Sequence, residues 1–321
     1  MNTVRLVLST KYDDRPSHIR IQCCGEVIFQ DLITKDLDIS HQISDFKKFN
    51  IEIDKIGKDK DLVDKKSDQE VTVNQVTLNG IDLKIEEFGK FFATENFYMN
   101  DQLLQTNKLF LNGKWIFELP ARDLSGGVCE ESWKVMKDKF IDCDIACFGC
   151  SQTYGALLEQ NQSWPSQLEI LTKKSVMNYG VPGSNINEIM ALIENYLKDY
   201  SAENVLIYLP HTFRRQEIVN GKLTNIGSRD DKNKELILHG EEHSVASISG
   251  DLCSWFDKIS RETNISFSSY HRDEFDLFQK TNLKKYMFPY LENDDYPKAK
   301  DGAHSGPEFN QDLAKIIQNF L

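Results

Sequence analysis

Apolar and polar residues alternate along the first third of the chain. Val4-Arg5-Leu6-Val7-Leu8, Ile19-Arg20-Ile21-Gln22 and the longer run Glu70 to Leu78 follow a period near two, which sets one face of a strand against a core. Asn79-Gly80 comes next, a dipeptide suited to a two-residue hairpin turn, and Ile81-Asp82-Leu83-Lys84-Ile85 continues the alternation. Phe110 to Phe117 repeats the pattern around Asn112-Gly113. Short alternating strands separated by turns predict an antiparallel sandwich over residues 1–122. The charged stretch from Asp54 to Asp68 is expected to be an exposed loop or a polar edge.

The pattern changes after Pro120. Residues 123–140, with Ser125-Gly126-Gly127 and then a charged segment, are expected to form a linker or a connecting helix. From residue 141 to 321 strand and helix signals take turns. Asp144 to Gly149, Ser175 to Gly180 and Asn204 to Leu209 read as short apolar strands. Trp164 to Leu171 reads as a helix with Ser163 as N-cap. Ile186, Ile189, Met190, Ile193, Tyr196 and Leu197 fall at helical spacing, and Leu313 to Leu321 reads as a closing helix. This βαβα order predicts a parallel sheet covered on both faces. Residues 219–250 are polar and show no clear period, as expected of a long excursion beside a site.

Composition narrows the partners. The chain of 321 residues carries a formal net charge of -12, which disfavours nucleic acid and anionic membranes, since phosphate binding needs clustered Lys and Arg. No apolar run is long enough to span a bilayer, and no signal peptide is evident. Synthesis in the cytoplasm is the expectation, with virion association as a further one. The seven cysteines have no regular disulfide spacing and no zinc-type constellation, so free thiols are expected and no metal ligand set is assigned.

Two short segments carry candidate chemistry. Phe148-Gly149-Cys150-Ser151-Gln152-Thr153-Tyr154-Gly155 places a hydroxyl on a strand-to-helix turn. Asp301-Gly302-Ala303-His304 places a carboxylate and an imidazole three residues apart, just before the closing helix. A weak nucleophile such as Ser needs a base, and the base needs an orienting group. Each segment alone has a plainer reading: Ser151 as the N-cap of the next helix, and Asp301 with His304 as a surface turn. Arg214 and Arg215 fit either a sugar or carboxylate site or a solvated pair.

Over about residues 141–321 the chain resembles the SGNH, or GDSL-type, serine hydrolases. Gly149-Cys150-Ser151 is similar to that family's first block, with Cys150 where the family usually has Asp. Asn178-Tyr179-Gly180-Val181-Pro182-Gly183-Ser184-Asn185 is similar to its second block, and Asp301 to His304 to its last. The resemblance implies a three-layer α/β, flavodoxin-like domain and a carboxylic ester hydrolase. It assigns Ser151 as nucleophile, His304 as base, Asp301 as its orienter, and the Ser151 and Gly183 N–H groups to the oxyanion hole. The third block departs from the family. Leu209-Pro210-His211-Thr212-Phe213-Arg214-Arg215 stands where the family has Gly-x-Asn-Asp, so Thr212, or else His211, takes the place of the donor Asn. One lost donor costs on the order of 10²–10³ in rate.

The first 120 or so residues resemble, more loosely, the β-sandwich carbohydrate-binding modules that need calcium. The stretches are Leu6 to Pro16, Gln75 to Ile81 and Leu111 to Trp115. The resemblance implies a glycan partner and makes calcium a candidate there, with Asp13, Asp14, Asp59, Asp61 and Asp64 as oxygen sources; no cofactor is expected for catalysis. The same pairing of domains is similar to proteins of tailed phages. Two readings follow. One is an esterase acting on acylated carbohydrate, removing O-acetyl groups. The other is a degenerate hydrolase scaffold serving as a glycan-binding or virion structural protein, assembled with other virion proteins or with copies of itself.

Overall fold

The computed structural model describes residues 2–12, 15–43, 49–57, 69–93, 104–109, 112–119, 126–212, 214–226, 240–301 and 304–321, with the side chains of 87, 88, 93, 104, 105, 215–219, 225, 226 and 240–244 excepted. The chain groups into two compact units: Met1–Asp123 with Ala246–Asp251, and Leu124–Val245 with Leu252–Leu321.

The first unit is built on antiparallel strands: β1 (Asn2–Lys11), β2 (Ser17–Cys23), β3 (Glu26–Ile33), β4 (Leu37–Ile43), β5 (Asn50–Ile56), β6 (Glu70–Leu78), β7 (Ile81–Asp82), β8 (Gly89–Ala93), β9 (Leu104–Gln105), β10 (Lys108–Leu109) and β11 (Gly113–Glu118). One sheet runs β10-β6-β1-β4 with β7 beside β6; the other runs β3-β2-β5-β11-β8-β9. Each buries alternate positions. Val4, Leu6 and Leu8 are buried on β1, and Ile19, Ile21 and Cys23 on β2. On β6 the buried set shifts phase, from Val71 and Val73 to Val76 and Leu78. A strict period of two would turn the last pair outward. The register against β1 slips at that point, where Val7 faces Gln75 and Leu8 faces Val73, and this bulge keeps all four valines and leucines on one face.

Three expectations change here. Asn79-Gly80 does make the hairpin turn, with φ of 54° and 86°, but β7 is only two residues long and the chain then turns into a short helix, Ile85–Phe88. Asn112-Gly113 is no hairpin. β10 pairs with β6 in one sheet and β11 pairs with β5 and β8 in the other, so the dipeptide lies where the chain changes sheets. A second primed turn instead falls at Cys24-Gly25, φ 50° and 85°, between β2 and β3. Asp54, Lys55 and Ile56 are not loop but the end of β5, whereas 58–68 lie outside the described residues.

The second unit opens with a helix, Glu130–Met136, inside the segment expected to link the domains. Four parallel strands follow: β12 (Cys143–Gly149), β13 (Val176–Gly180), β14 (Ala202–Leu209) and, after a separate hairpin of β15 (Arg215–Val219) and β16 (Lys222–Ile226), β17 (Asn264–Ser269). Their order is β13-β12-β14-β17. On one face Ile145, Cys147, Leu206 and Tyr208 meet Trp164 and Leu168 of the helix Trp164–Thr172, and Phe309, Leu313 and Ile317 of the helix Pro307–Phe320. On the other, Phe148 packs with Tyr179 and with Tyr196 of the helix Ile186–Asp199, and Phe140 closes the cluster. Burial on both faces explains why these strands read as continuous apolar runs. Asn185 caps the helix Ile186–Asp199 by accepting from Glu188 N at 3.0 Å. Residues 219–250, expected to be irregular, contain the end of the β15–β16 hairpin and the start of a long helix, Gly240–Ile259. Among the described residues no helix is long and apolar enough to cross a membrane.

The chain leaves β12 for β13 on one side and returns to β14 on the other. Such a switch point opens a crevice beyond the carboxyl ends of the strands. The segments with candidate chemistry follow those ends.

Candidate active site

Ser151 sits one residue beyond Cys150 at the exit of β12, at the start of a four-residue helix, Ser151–Tyr154. Two features press this turn onto the sheet. Asn178 Nδ2 donates to Thr153 O at 2.8 Å, and Gly180 leaves room for the Tyr154 backbone, with which any Cβ would collide. Ser151 is half-buried, and its hydroxyl makes one long contact, 3.9 Å to Cys150 Sγ. It makes no hydrogen bond to His304.

Asp301 holds His304 twice. Asp301 Oδ2 lies 2.6 Å from Nδ1, and Oδ1 accepts from the His304 backbone N–H at 3.0 Å. A carboxylate against Nδ1 puts the proton of the neutral ring there, which leaves Nε2 as an acceptor. The next residue ties this pair to the short helix that begins at Ser151: Ser305 N donates to Gln152 Oε1 at 3.2 Å. Below it, Ser305 Oγ donates to Asn293 Oδ1 at 2.8 Å, and Asn293 Nδ2 to Tyr270 Oη at 2.5 Å. Ser151 and His304, 153 residues apart, are thus brought to the carboxyl end of the sheet. Gln152, Ser305, Asn293 and Tyr270 were not singled out in the sequence, and as isolated polar residues they leave no signal there.

Gly183 has φ 85°, a value that favours glycine. It occupies the third position of the turn Val181-Pro182-Gly183-Ser184, closed by Ser184 N donating to Val181 O at 3.1 Å. The turn does not consume the Gly183 N–H. Neither does the short helix consume the Ser151 N–H, since its bonds begin with Tyr154 N to Cys150 O.

The third block is arranged differently from the expectation. Thr212 is buried, and both its backbone N–H and its hydroxyl donate to Glu274 Oε1, at 2.8 and 2.9 Å. The single hydroxyl proton assigned to the oxyanion is thereby committed to a carboxylate. His211 Nδ1 lies 3.4 Å from the same oxygen, and its ring stacks on His271. Burial holds both imidazoles far below their ordinary pKa, at about 3; Arg214 adds to this for His211, and His211 itself for His271. Both are neutral at ordinary pH. Burial raises the Glu274 carboxyl, against the hydrogen bonds from Thr212 and Ser269. Arg214 reaches Ser184 O with Nη1 at 3.4 Å. The Arg215 side chain lies outside the described residues; its backbone opens β15 opposite Ile226.

All seven cysteines are free thiols. Among the described residues no group of three His, Cys, Asp or Glu side chains is disposed to hold a metal ion. The calcium candidates Asp13, Asp14, Asp59, Asp61 and Asp64 lie outside the described residues.

No protein-family profile matches the sequence, and no curated protein matches it either. Among solved structures, the chain is similar to an acetyl xylan esterase from Butyrivibrio proteoclasticus, at 12% identity and a TM-score of 0.37, covering 100% of this chain and 86% of that one. A protein of the G-D-S-L family from Desulfitobacterium hafniense matches at 14% identity and a TM-score of 0.36, over 56% of this chain and 99% of that one. A carbohydrate-binding module solved with galactobiose matches at 14% identity and a TM-score of 0.28, over 36% of this chain and 99% of its own.

Proposed function

We propose that this protein is a serine esterase of SGNH type that removes acyl groups, acetyl above all, from carbohydrate. The observation that carries the reading is the Asp301–His304 pair, with Nε2 left as an acceptor, on a loop bonded to the helix that begins at Ser151. The Ser151 oxygen attacks the ester carbonyl while its proton passes to His304 Nε2. Asp301 stabilises the imidazolium. The carbonyl oxygen becomes an oxyanion facing the N–H groups of Ser151 and Gly183. Collapse of the tetrahedral species breaks the ester bond and expels the sugar hydroxyl, which takes the proton from His304. Water, deprotonated by the same imidazole, then attacks the acyl-serine and releases the carboxylic acid and free Ser151.

The carbohydrate part rests on the N-terminal unit, which we assign as a β-sandwich that binds glycan, with calcium as its candidate cofactor. The second reading, a scaffold that binds glycan without turnover, is favoured by one observation: the Thr212 hydroxyl is committed to Glu274. The two separate on acetate release from acetylated xylan. The esterase reading expects release by the wild type and none by Ser151→Ala. No release above the uncatalysed rate from a folded wild type that still binds the polysaccharide supports the scaffold.

A further inference from the structure

With Thr212 withdrawn, the oxyanion hole lacks the third donor that the family's Asn supplies. We propose that the Arg214 guanidinium provides it, an inference that rests on the esterase reading above. Arg214 lies two residues beyond Thr212. Arg214 N donates to His211 O at 3.2 Å, and Nη1 reaches Ser184 O at 3.4 Å. Ser184 follows Gly183, whose unconsumed N–H is one of the two backbone donors. The guanidinium therefore lies at the rim of the turn that presents Gly183.

Its bonding is incomplete. Nε is buried without a partner, and no carboxylate lies within 4.0 Å of the guanidinium among the described residues. A half-buried cation with an unpaired N–H is costly unless something anionic completes it. An oxyanion suits this vacancy better than a neutral carbonyl, because a charged donor strengthens as the negative charge develops. The neighbouring groups do not supply a rival positive charge. His211 and His271 are neutral, and Glu274 is occupied by Thr212 and Ser269. Glu274 is then a positioning residue: by holding Thr212 it shapes the turn from which Arg214 extends.

The test is steady-state hydrolysis of p-nitrophenyl acetate by wild type, Arg214→Lys, Arg214→Gln and Arg214→Ala, the last with and without added guanidinium ion. Circular dichroism establishes that each is folded, and fluorophosphonate labelling of Ser151 in the wild type checks the reading beneath. The expected result is a fall in kcat on the order of 10²–10³ for Gln, with KM changed less than about twofold. The Lys variant is expected to be intermediate, and guanidinium to restore part of the Ala variant's rate. A folded Arg214→Gln with wild-type kcat overturns the proposal and leaves the esterase intact. A raised KM with unchanged kcat also overturns it, in favour of a guanidinium that binds substrate and transition state alike. A wild type that neither labels at Ser151 nor turns over overturns both.

Discussion

Gln152 Oε1 accepts a hydrogen bond from Ser305 N at 3.2 Å, and this bond joins the residue after the proposed nucleophile to the residue after the proposed base. It spans 153 positions of sequence and sets the distance over which Ser151 must pass its proton. An error of 1 Å in such a placement can cost on the order of 10²-fold in rate. Gln152→Ala is therefore expected to lower kcat for p-nitrophenyl acetate at least about tenfold, while stability falls by only about 0.5–1.5 kcal/mol. Stopped-flow rates beside a thermal melt separate the two effects.

Asp301→Asn keeps the shape of the carboxylate but reverses the preferred tautomer of His304, since the amide can donate to Nδ1. The proton then sits on Nε2, where it blocks attack. The expected loss is on the order of 10⁴ in kcat, by analogy with the same change in other triads. A loss under tenfold would remove Asp301 from the mechanism.

Gly183→Ala meets no atom within 4 Å, so its cost is confined to the backbone at φ 85°. A destabilisation of more than about 1 kcal/mol is expected, together with reduced kcat if the turn shifts the N–H. Urea unfolding with and without a bound phosphonate distinguishes strain from lost oxyanion binding.

The two stacked histidines make stability depend on acid. Both have folded pKa values of about 3, lowered from 6.5 chiefly by burial. The unfolded chain therefore binds more protons than the folded one between about 6.5 and 3, and stability present above 6.5 is lost as pH falls through that window. Glu274 acts in the opposite sense, because its raised carboxyl favours the folded state at low pH. His271→Asn is expected to flatten the decline in melting temperature between pH 6.5 and 4. An unchanged slope would place the acid sensitivity elsewhere.

Much of the second unit was legible because its strands are buried on both faces and its helices carry apolar residues three and four apart. The helix Gly240–Ile259 also has that spacing, at Val245, Ile248, Leu252, Phe256 and Ile259, but Gly250 and four serines obscure it. The strand Asn264–Ser269 was harder still: Ser268 and Ser269 are fully buried, so polarity does not mark its exposure. In the first unit the bulge on β6 could be traced from the three-residue step between Val73 and Val76. Asn112-Gly113 misled because a turn dipeptide specifies local geometry and not which strand pairs beyond it. The Asp301–His304 contact was legible from its spacing. The capture of Thr212 by Glu274 was not, since 62 residues separate them and only the fold of β14 against β17 brings them together.

The most direct test of the central claim is the pH profile of p-nitrophenyl acetate hydrolysis from pH 5 to 9, for wild type, Ser151→Ala and His304→Ala. A wild-type rate that rises with one ionisation in the imidazole range, roughly 6–7, and vanishes in both variants is the predicted result. A folded wild type with no activity above that of the variants at any pH would contradict it.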